Sequence, residues 1–262
     1  MAYIRSRWLS LDERYIIEKK YHSWKCQAKK ENRQRLPKEK ITSTWQMKIN
    51  ARHRIEKFVR LVLDNFRVGD SYLTATFSQD MDPEEVKKEV EKFKRCLRRI
   101  FKKRRQEFKY ISVIENNGTH RGRPHVHLLV PAIGAQDIAA VEEAWPHGHV
   151  KFAMYKGKLS DAQKLMAYFC KEEVNRLTGS GRVMTSKNLV RNPPSRKVVS
   201  RSDTYRDVIK PPKGYEVVES LTRVTYTRDG YPLQIAVYER KDTGGNKSGA
   251  RDGCGTVGKA AR

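Results

Sequence analysis

Several classes of protein are disfavoured by what the chain lacks. No apolar run is long enough to span a bilayer, and no secretory signal precedes the charged, aromatic start of the sequence. The four cysteines, Cys26, Cys96, Cys170 and Cys254, are scattered, and none lies in a CxxC pair. This spacing disfavours a zinc finger and predicts reduced thiols in a cytoplasm. A GxxxxGK[ST] loop is also missing, so strand separation by this chain alone is not expected.

Acidic residues are few for a chain of this size. The 262 residues contain 55 Lys plus Arg and only 30 Asp plus Glu, for a net charge of +25. Such an excess does not define a fold, but it predicts a polyanionic partner. Nucleic acid is the first candidate. An anionic membrane surface is the second, although no amphipathic segment supports it directly.

Four segments are predicted from the pattern of apolar and charged residues. Residues 1–68 form a basic, mostly helical arm, because apolar residues from Trp45 to Phe66 recur at steps of three and four. This arm either packs as a solvated helical surface or contacts DNA. Residues 69–178 form the central domain. Residues 179–240 form an extension with a β-hairpin at its Asp-Gly turn, and glycine-rich residues 241–262 form a disordered tail.

The central segment alternates between strand and helix patterns. Residues 71–77 alternate with period two, and Asp82-Pro83 marks the start of an amphipathic helix. Further strands are predicted over 108–115, 123–130 and 148–155, and further helices over 136–145 and 161–176. The order β-α-β-β-α-β-α predicts an α+β fold with a helical N-terminal extension. In this split βαβ arrangement, helices cover one face of an antiparallel sheet and leave the other open for chemistry.

The motif His125-Val126-His127 lies within the third predicted strand. Alternate side chains of a strand share a face, so the two imidazoles project together. Two neutral imidazoles side by side can ligate one divalent cation. The alternative is a pair of exposed histidines without a ligand. A second pair, His147 and His149, flanks a glycine and is interpreted as part of a loop.

A third metal ligand is expected from Glu115, which ends the strand before the histidine strand. In a hairpin such a residue can lie across from its partner strand. A carboxylate with two imidazoles would leave coordination positions for a phosphate oxygen. Glu115 alternates with Ile111 and Val113, which leaves its facing open. The alternative is an acid at the edge of a loop.

Tyr168 lies on the polar side of the helix predicted over 161–176. Leu165 and Phe169 are four residues apart on the apolar stripe, whereas Tyr168 shares the opposite stripe with Lys164 and Lys171. Two nearby ammonium groups would favour the phenolate and help to hold a phosphate. The alternative is a surface tyrosine between lysines.

Taken in chain order, these residues resemble the three motifs of the HUH endonucleases, which are named for a His-hydrophobe-His sequence. The resemblance is carried by residues 73–77, by Glu115 with His125-Val126-His127, and by residues 168–171. Residues 185–189 with Pro193 also resemble a segment that follows the tyrosine helix in such proteins. The resemblance covers about residues 69–195 and is greatest to rolling-circle replication initiators of small plasmids and filamentous phages.

The resemblance implies a ferredoxin-like nuclease domain and a mechanism for nicking single-stranded DNA at an origin. His125, His127 and Glu115 would hold Mg²⁺ or Mn²⁺, and Tyr168 would attack the scissile phosphate. The products would be a 5′-phosphotyrosine and a 3′-hydroxyl for a host polymerase. Lys171 would position Tyr168 or balance developing charge. A host helicase would separate the strands, and the site of action would be the bacterial cytoplasm.

Two rival functions remain open at this point. A single-tyrosine transposase or a plasmid-mobilisation relaxase of the same superfamily would share the chemistry but not the biology. A non-catalytic nucleic-acid-binding protein would account equally well for the net charge, because phosphate contacts carry most non-specific affinity.

Overall fold

The computed structural model describes residues 2–23, 43–115, 122–171, 183–199, 208–227 and 229–241. Within them, antiparallel sheets and four α-helices confirm the predicted α+β class. The strands are β1 (Ala2–Leu9), β2 (Tyr15–Ser23), β3 (Ser71–Thr76), β4 (Ile111–Glu115), β5 (His125–Val130), β6 (Val150–Met154), β7 (Met184–Thr185), β8 (Ser195–Val199), β9 (Tyr215–Val217), β10 (Arg223–Tyr226) and β11 (Pro232–Arg240). The helices are α1 (Thr44–Asn65), α2 (Pro83–Lys103), α3 (Ile138–Glu143) and α4 (Leu159–Phe169), with 3-10 turns at Ala135–Asp137 and Glu219–Leu221.

The central sheet has five strands in the order β6-β3-β5-β4-β7. Every neighbouring pair is antiparallel. The chain leaves β3, passes through α2 and returns as β4, and β5 then inserts between those two strands. This is the split βαβ arrangement that the order of strands and helices predicted.

Helices lie on both faces of this sheet, whereas the sequence predicted helices on one face. The apolar stripe of α2 and Val141 of α3 pack on the face formed by Leu73, Ala75 and Leu128. On the opposite face, α1 and α4 cover an apolar end that includes Ile111, Val113 and Leu129. Exposed aliphatic side chains at that end would be costly in water, so this half of the face is buried. The polar half, near His125, is less covered.

The predicted helical arm over residues 1–68 is wrong for residues 2–23, which form β1 and β2. Only α1 is helical in the described part of this segment. In β1, Ile4, Ser6 and Trp8 alternate with Arg5 and Arg7, so the charges occupy one face of a strand and do not require a helix.

The N-terminal strands join a second sheet together with strands from the other end of the chain. Its order is β10-β11-β2-β1-β8, and β9 also pairs with β11. The inner face of this sheet contributes Trp8, Tyr15 and Val237 to the same core cluster as α1 and α4. The molecule is therefore layered: α2 and α3, the five-stranded sheet, α1 and α4, then the six-stranded sheet. The segment boundaries at residues 68, 178 and 240 stay predictions.

The predicted C-terminal hairpin is present, because β10 and β11 pair antiparallel across the turn at Gly230. Gly230 has a φ of +74°, a conformation that favours glycine. The predicted disordered tail lies almost wholly outside the described residues, which end at Lys241. No helix in the described part of the chain is both long and apolar enough to cross a membrane.

Candidate active site

The register of the central sheet gathers the predicted residues in two rows across one face. Thr74 of β3, His127 of β5 and Val113 of β4 lie side by side in one row. His125 and Glu115 lie opposite each other in the next. Glu115 thus shares a face with both histidines. Its alternation with Val113 is consistent with this, because Val113 points towards α4 on the same side of the sheet.

Helix α4 brings Tyr168 to the polar end of this face. Its neighbours Phe169 and Met166 are buried in the core, which fixes the rotation of the helix about its axis. The Tyr168 hydroxyl donates a hydrogen bond to Oε2 of Glu115 and lies 3.2 Å from Nε2 of His127. Tyr168 is 40% exposed, so its phenol is accessible to a substrate as well as bound to the site.

His127 is held by hydrogen bonds at both ring nitrogens. Its Nδ1 lies 2.8 Å from the Tyr72 hydroxyl and 3.2 Å from Oγ1 of Thr74. Its Nε2 lies 3.1 Å from Oε2 of Glu115. A hydroxyl can donate or accept, so Tyr72 and Thr74 are compatible with either neutral tautomer of His127. The imidazole can therefore present either a proton or a lone pair at Nε2.

Sequence reasoning did not assign roles to Tyr72 and Thr74. The available signal was their alternation in residues 71–77, which placed them on the face opposite Leu73. That alternation does not reveal which residue of another strand lies beside them. The pairing of β3 with β5 provides this information, since Thr74 is directly opposite His127.

Burial and hydrogen bonding set the charges of the site. Burial lowers the pKa of His127 more than the neighbouring Glu115 raises it, so the imidazole is neutral near pH 7. Burial alone would raise the pKa of Glu115, but hydrogen bonds from Tyr168 and His127 lower it further, and its net pKa falls. Burial raises the pKa of Tyr72 to about 12, so its hydroxyl keeps its proton. A neutral imidazole thus adjoins a carboxylate.

The other two predicted residues lie at the margin of this cluster. The His125 ring is nearly parallel to that of His127, with 6.4 Å between ring centroids. Lys171 is exposed just beyond α4, and its charge is among the causes that lower the pKa of Glu115. The second histidine pair lies in a turn, where His147 bonds Glu89 of α2 at 2.9 Å.

The donor atoms are of the kind that a divalent cation takes in proteins. His127 Nε2 and Glu115 Oε2 converge, and His125 is the next residue along the same face of β5. No group of three His, Cys, Asp or Glu side chains within the described ranges is already arranged as a metal site. The residues therefore fit a cation in chemical type, with two of the three predicted donors in contact.

The comparisons with known proteins identify a family for this part of the chain. Residues 70–173 match a family model whose description begins "Replication-associated protein ORF2". No curated protein and no solved structure matches the chain. The matched residues run from the start of β3 to just beyond α4 and include all five predicted site residues. The segment that carries the candidate site is thus a match to this family of replication-associated proteins, which is consistent with a rolling-circle replication initiator.

Proposed function

We propose that this replication-associated protein nicks one strand of DNA at an origin, with Tyr168 as the nucleophile. The observation that carries the proposal is the meeting of a phenol, an imidazole and a carboxylate from three separate chain segments. Tyr168 contacts both His127 and Glu115 at the polar end of the sheet. A phenol beside an acceptor and a neutral imidazole is the arrangement that a covalent phosphoryl transfer needs.

In the proposed step, the Tyr168 oxygen forms a bond to phosphorus while the bond from phosphorus to O3′ breaks. The phenol proton passes to Glu115, which already accepts its hydrogen bond. The departing O3′ takes a proton from water and becomes a free 3′-hydroxyl. The 5′ end stays on Tyr168 as a phosphodiester. Reversal of the same step rejoins the strand.

Neighbouring residues would hold the substrate and balance its charge. Mg²⁺ or Mn²⁺ bound by His125, His127 and Glu115 would stabilise negative charge on the phosphate oxygens. Glu115 has two carboxylate oxygens, so it can bind a cation and also accept a hydrogen bond. Lys171 is exposed beside the cluster and would offset charge that develops in the transition state. A host polymerase would extend the 3′-hydroxyl, and a host helicase would unwind the duplex in the bacterial cytoplasm.

The test uses labelled single strands tiled across the replicon that carries the gene, incubated with the full-length protein and Mn²⁺. The wild type should form a covalent adduct with the 3′ part of one strand. Tyr168→Phe should abolish the adduct. Tyr226→Phe, which removes a hydroxyl from a 70% exposed tyrosine on β10, should not. An adduct that persists in Tyr168→Phe would overturn the assignment of the nucleophile.

His125→Ala separates catalysis from binding. It should abolish cleavage yet keep most affinity for single-stranded DNA, because phosphate contacts elsewhere supply most of that affinity. Binding by the wild type without any adduct, on every strand and with Mg²⁺ or Mn²⁺, would instead favour a non-catalytic nucleic-acid-binding protein. An adduct confined to the ends of a mobile element would favour a transposase.

A further inference from the structure

The outer face of the six-stranded sheet is rich in cations. This face is the one opposite the core cluster that contains Trp8 and Tyr15. The register of β1 with β2 places Arg5 across from Lys20 and Arg7 across from Glu18. All four of these side chains project outward, because they alternate with residues that face the core.

A cleft of about 310 Å³ lies between this face and residues 208–212. Four cationic side chains and one acidic side chain line it: Arg5, Arg7, Lys20, Lys210 and Glu18. The remaining lining is uncharged and includes Gln234, Tyr238 and two prolines. A cleft of this size is at the lower end of the range for small ligands, so it accepts nucleotide-sized units and is too narrow for a double helix.

The single carboxylate of the cleft is already engaged by two of its cations. Glu18 is buried, and its Oε2 lies 2.7 Å from the Arg5 guanidinium. Its Oε1 lies 3.8 Å from Nζ of Lys20. Neither Arg7 nor Lys210 forms an ion pair with a carboxylate in the part of the chain that the structure describes. The cleft therefore keeps a net positive charge, whose natural complement is an anion.

We propose that this cleft binds the sugar-phosphate backbone of single-stranded DNA, at a second site separate from Tyr168. Cations would contact phosphates, and the Tyr238, Gln234 and proline surfaces would contact sugars or bases. The layer of α1 and α4 lies between the two sites, so the bound segment is distinct from the scissile one. The choice of partner rests on the proposed function, but binding at the cleft does not depend on cleavage.

The experiment measures the affinity of the full-length protein for a labelled single strand in EDTA, by fluorescence anisotropy over a range of salt concentrations. Arg7→Gln/Lys210→Gln should weaken binding at least tenfold at low salt. It should also reduce the slope of log K against log salt by about 1.4, because each lost phosphate contact to a single strand contributes about 0.7. Arg7→Lys/Lys210→Arg keeps both charges and should retain most of the affinity.

A matched control removes two cations from another surface. Lys88 and Lys103 are exposed on α2, on the far side of the five-stranded sheet. Lys88→Gln/Lys103→Gln should change affinity by less than threefold. An equal loss in both double variants would mean that net charge alone matters and would overturn the proposal. Wild-type affinity in the Arg7/Lys210 variant would also overturn it, as would an equal loss for a labelled duplex.

The two proposals fail in distinguishable ways. With Mn²⁺ and saturating DNA, Arg7→Gln/Lys210→Gln should form the Tyr168 adduct at the wild-type rate, because neither residue lies near the active site. If the wild type forms no adduct but the salt dependence changes as expected, nicking is refuted and the cleft remains. If adduct formation is normal and affinity is unchanged, only the cleft is refuted.

Discussion

The hydroxyl of Tyr72 offers a sensitive test of how His127 is held, through Tyr72→Phe. The ring stays, and it lies nearly parallel to the His127 ring at 5.9 Å between centroids. The substitution removes only the oxygen that lies 2.8 Å from Nδ1, while Oγ1 of Thr74 remains at 3.2 Å. Loss of a hydrogen-bond partner for a buried polar group costs about 1–3 kcal/mol. Because Thr74 partly compensates, we expect about 1–2 kcal/mol, which corresponds to a roughly 5- to 30-fold effect.

The assay is single-turnover nicking as a function of Mn²⁺ concentration, with thermal unfolding measured in parallel. Partners of a metal-binding histidine typically change metal affinity or activity by about 10- to 100-fold. Tyr72→Phe should therefore raise the Mn²⁺ concentration for half-maximal nicking. Tyr110→Phe, which removes the hydroxyl of a half-buried tyrosine elsewhere on the sheet, should not. A lowered Tm with an unchanged Mn²⁺ dependence would mean that the hydroxyl is only structural. Tyr72→Phe/Thr74→Val should lose more than the two single variants together, because Nδ1 is then left without a partner.

Three further predictions concern the structure that supports the site. Gly148→Ala should lower the free energy of unfolding by about 1–3 kcal/mol in urea denaturation, because a Cβ there would lie 2.2 Å from the backbone oxygen of Thr76; an unchanged midpoint would contradict this. Lys94→Met should raise Tm at pH 7, because burial lowers the pKa of Lys94 and its charged form costs stability. This gain should shrink as pH rises towards 10.5, the ordinary value of lysine, and a pH-independent difference would refute the assignment. Asn65→Ala should cost about 2–3 kcal/mol by the same urea assay, since Asn65 bonds both the N–H and the carbonyl of Val190, at 2.8 and 2.9 Å; a loss under about 0.5 kcal/mol would count against that role.

The central domain was largely predictable because its signals are local. Period-two alternation located β3 and β5, and the Asp82-Pro83 start located α2. The apolar stripe of α4 placed Tyr168 on the side away from the core before any coordinates were known. These features depend on residues within one strand or one helix, so the sequence contains them directly.

Features that depend on pairing between distant segments were not predictable in the same way. The role of Tyr72 requires the register of β3 against β5, which no local pattern specifies. The strands of residues 2–23 were missed for a related reason. Their partners include β8 and β11, far along the chain, and their outward cations resemble those of a basic helix. A one-residue change in register would reverse which side chains face the core, so only the assembled sheet decides it.

The N-terminal strands also bear on the chemistry, although they lie outside the matched segment. Tyr168 reaches His127 only if α4 keeps its rotation and its height above the sheet. The rotation is fixed by Phe169 and Met166 in the core, and α1 packs along the helix. The start of α4 is held from β2, because the Leu159 N–H donates to the Tyr15 hydroxyl at 3.4 Å. The six-stranded sheet is therefore a support for the helix that carries the nucleophile, and the proposed DNA-binding cleft lies on the outer side of that same support.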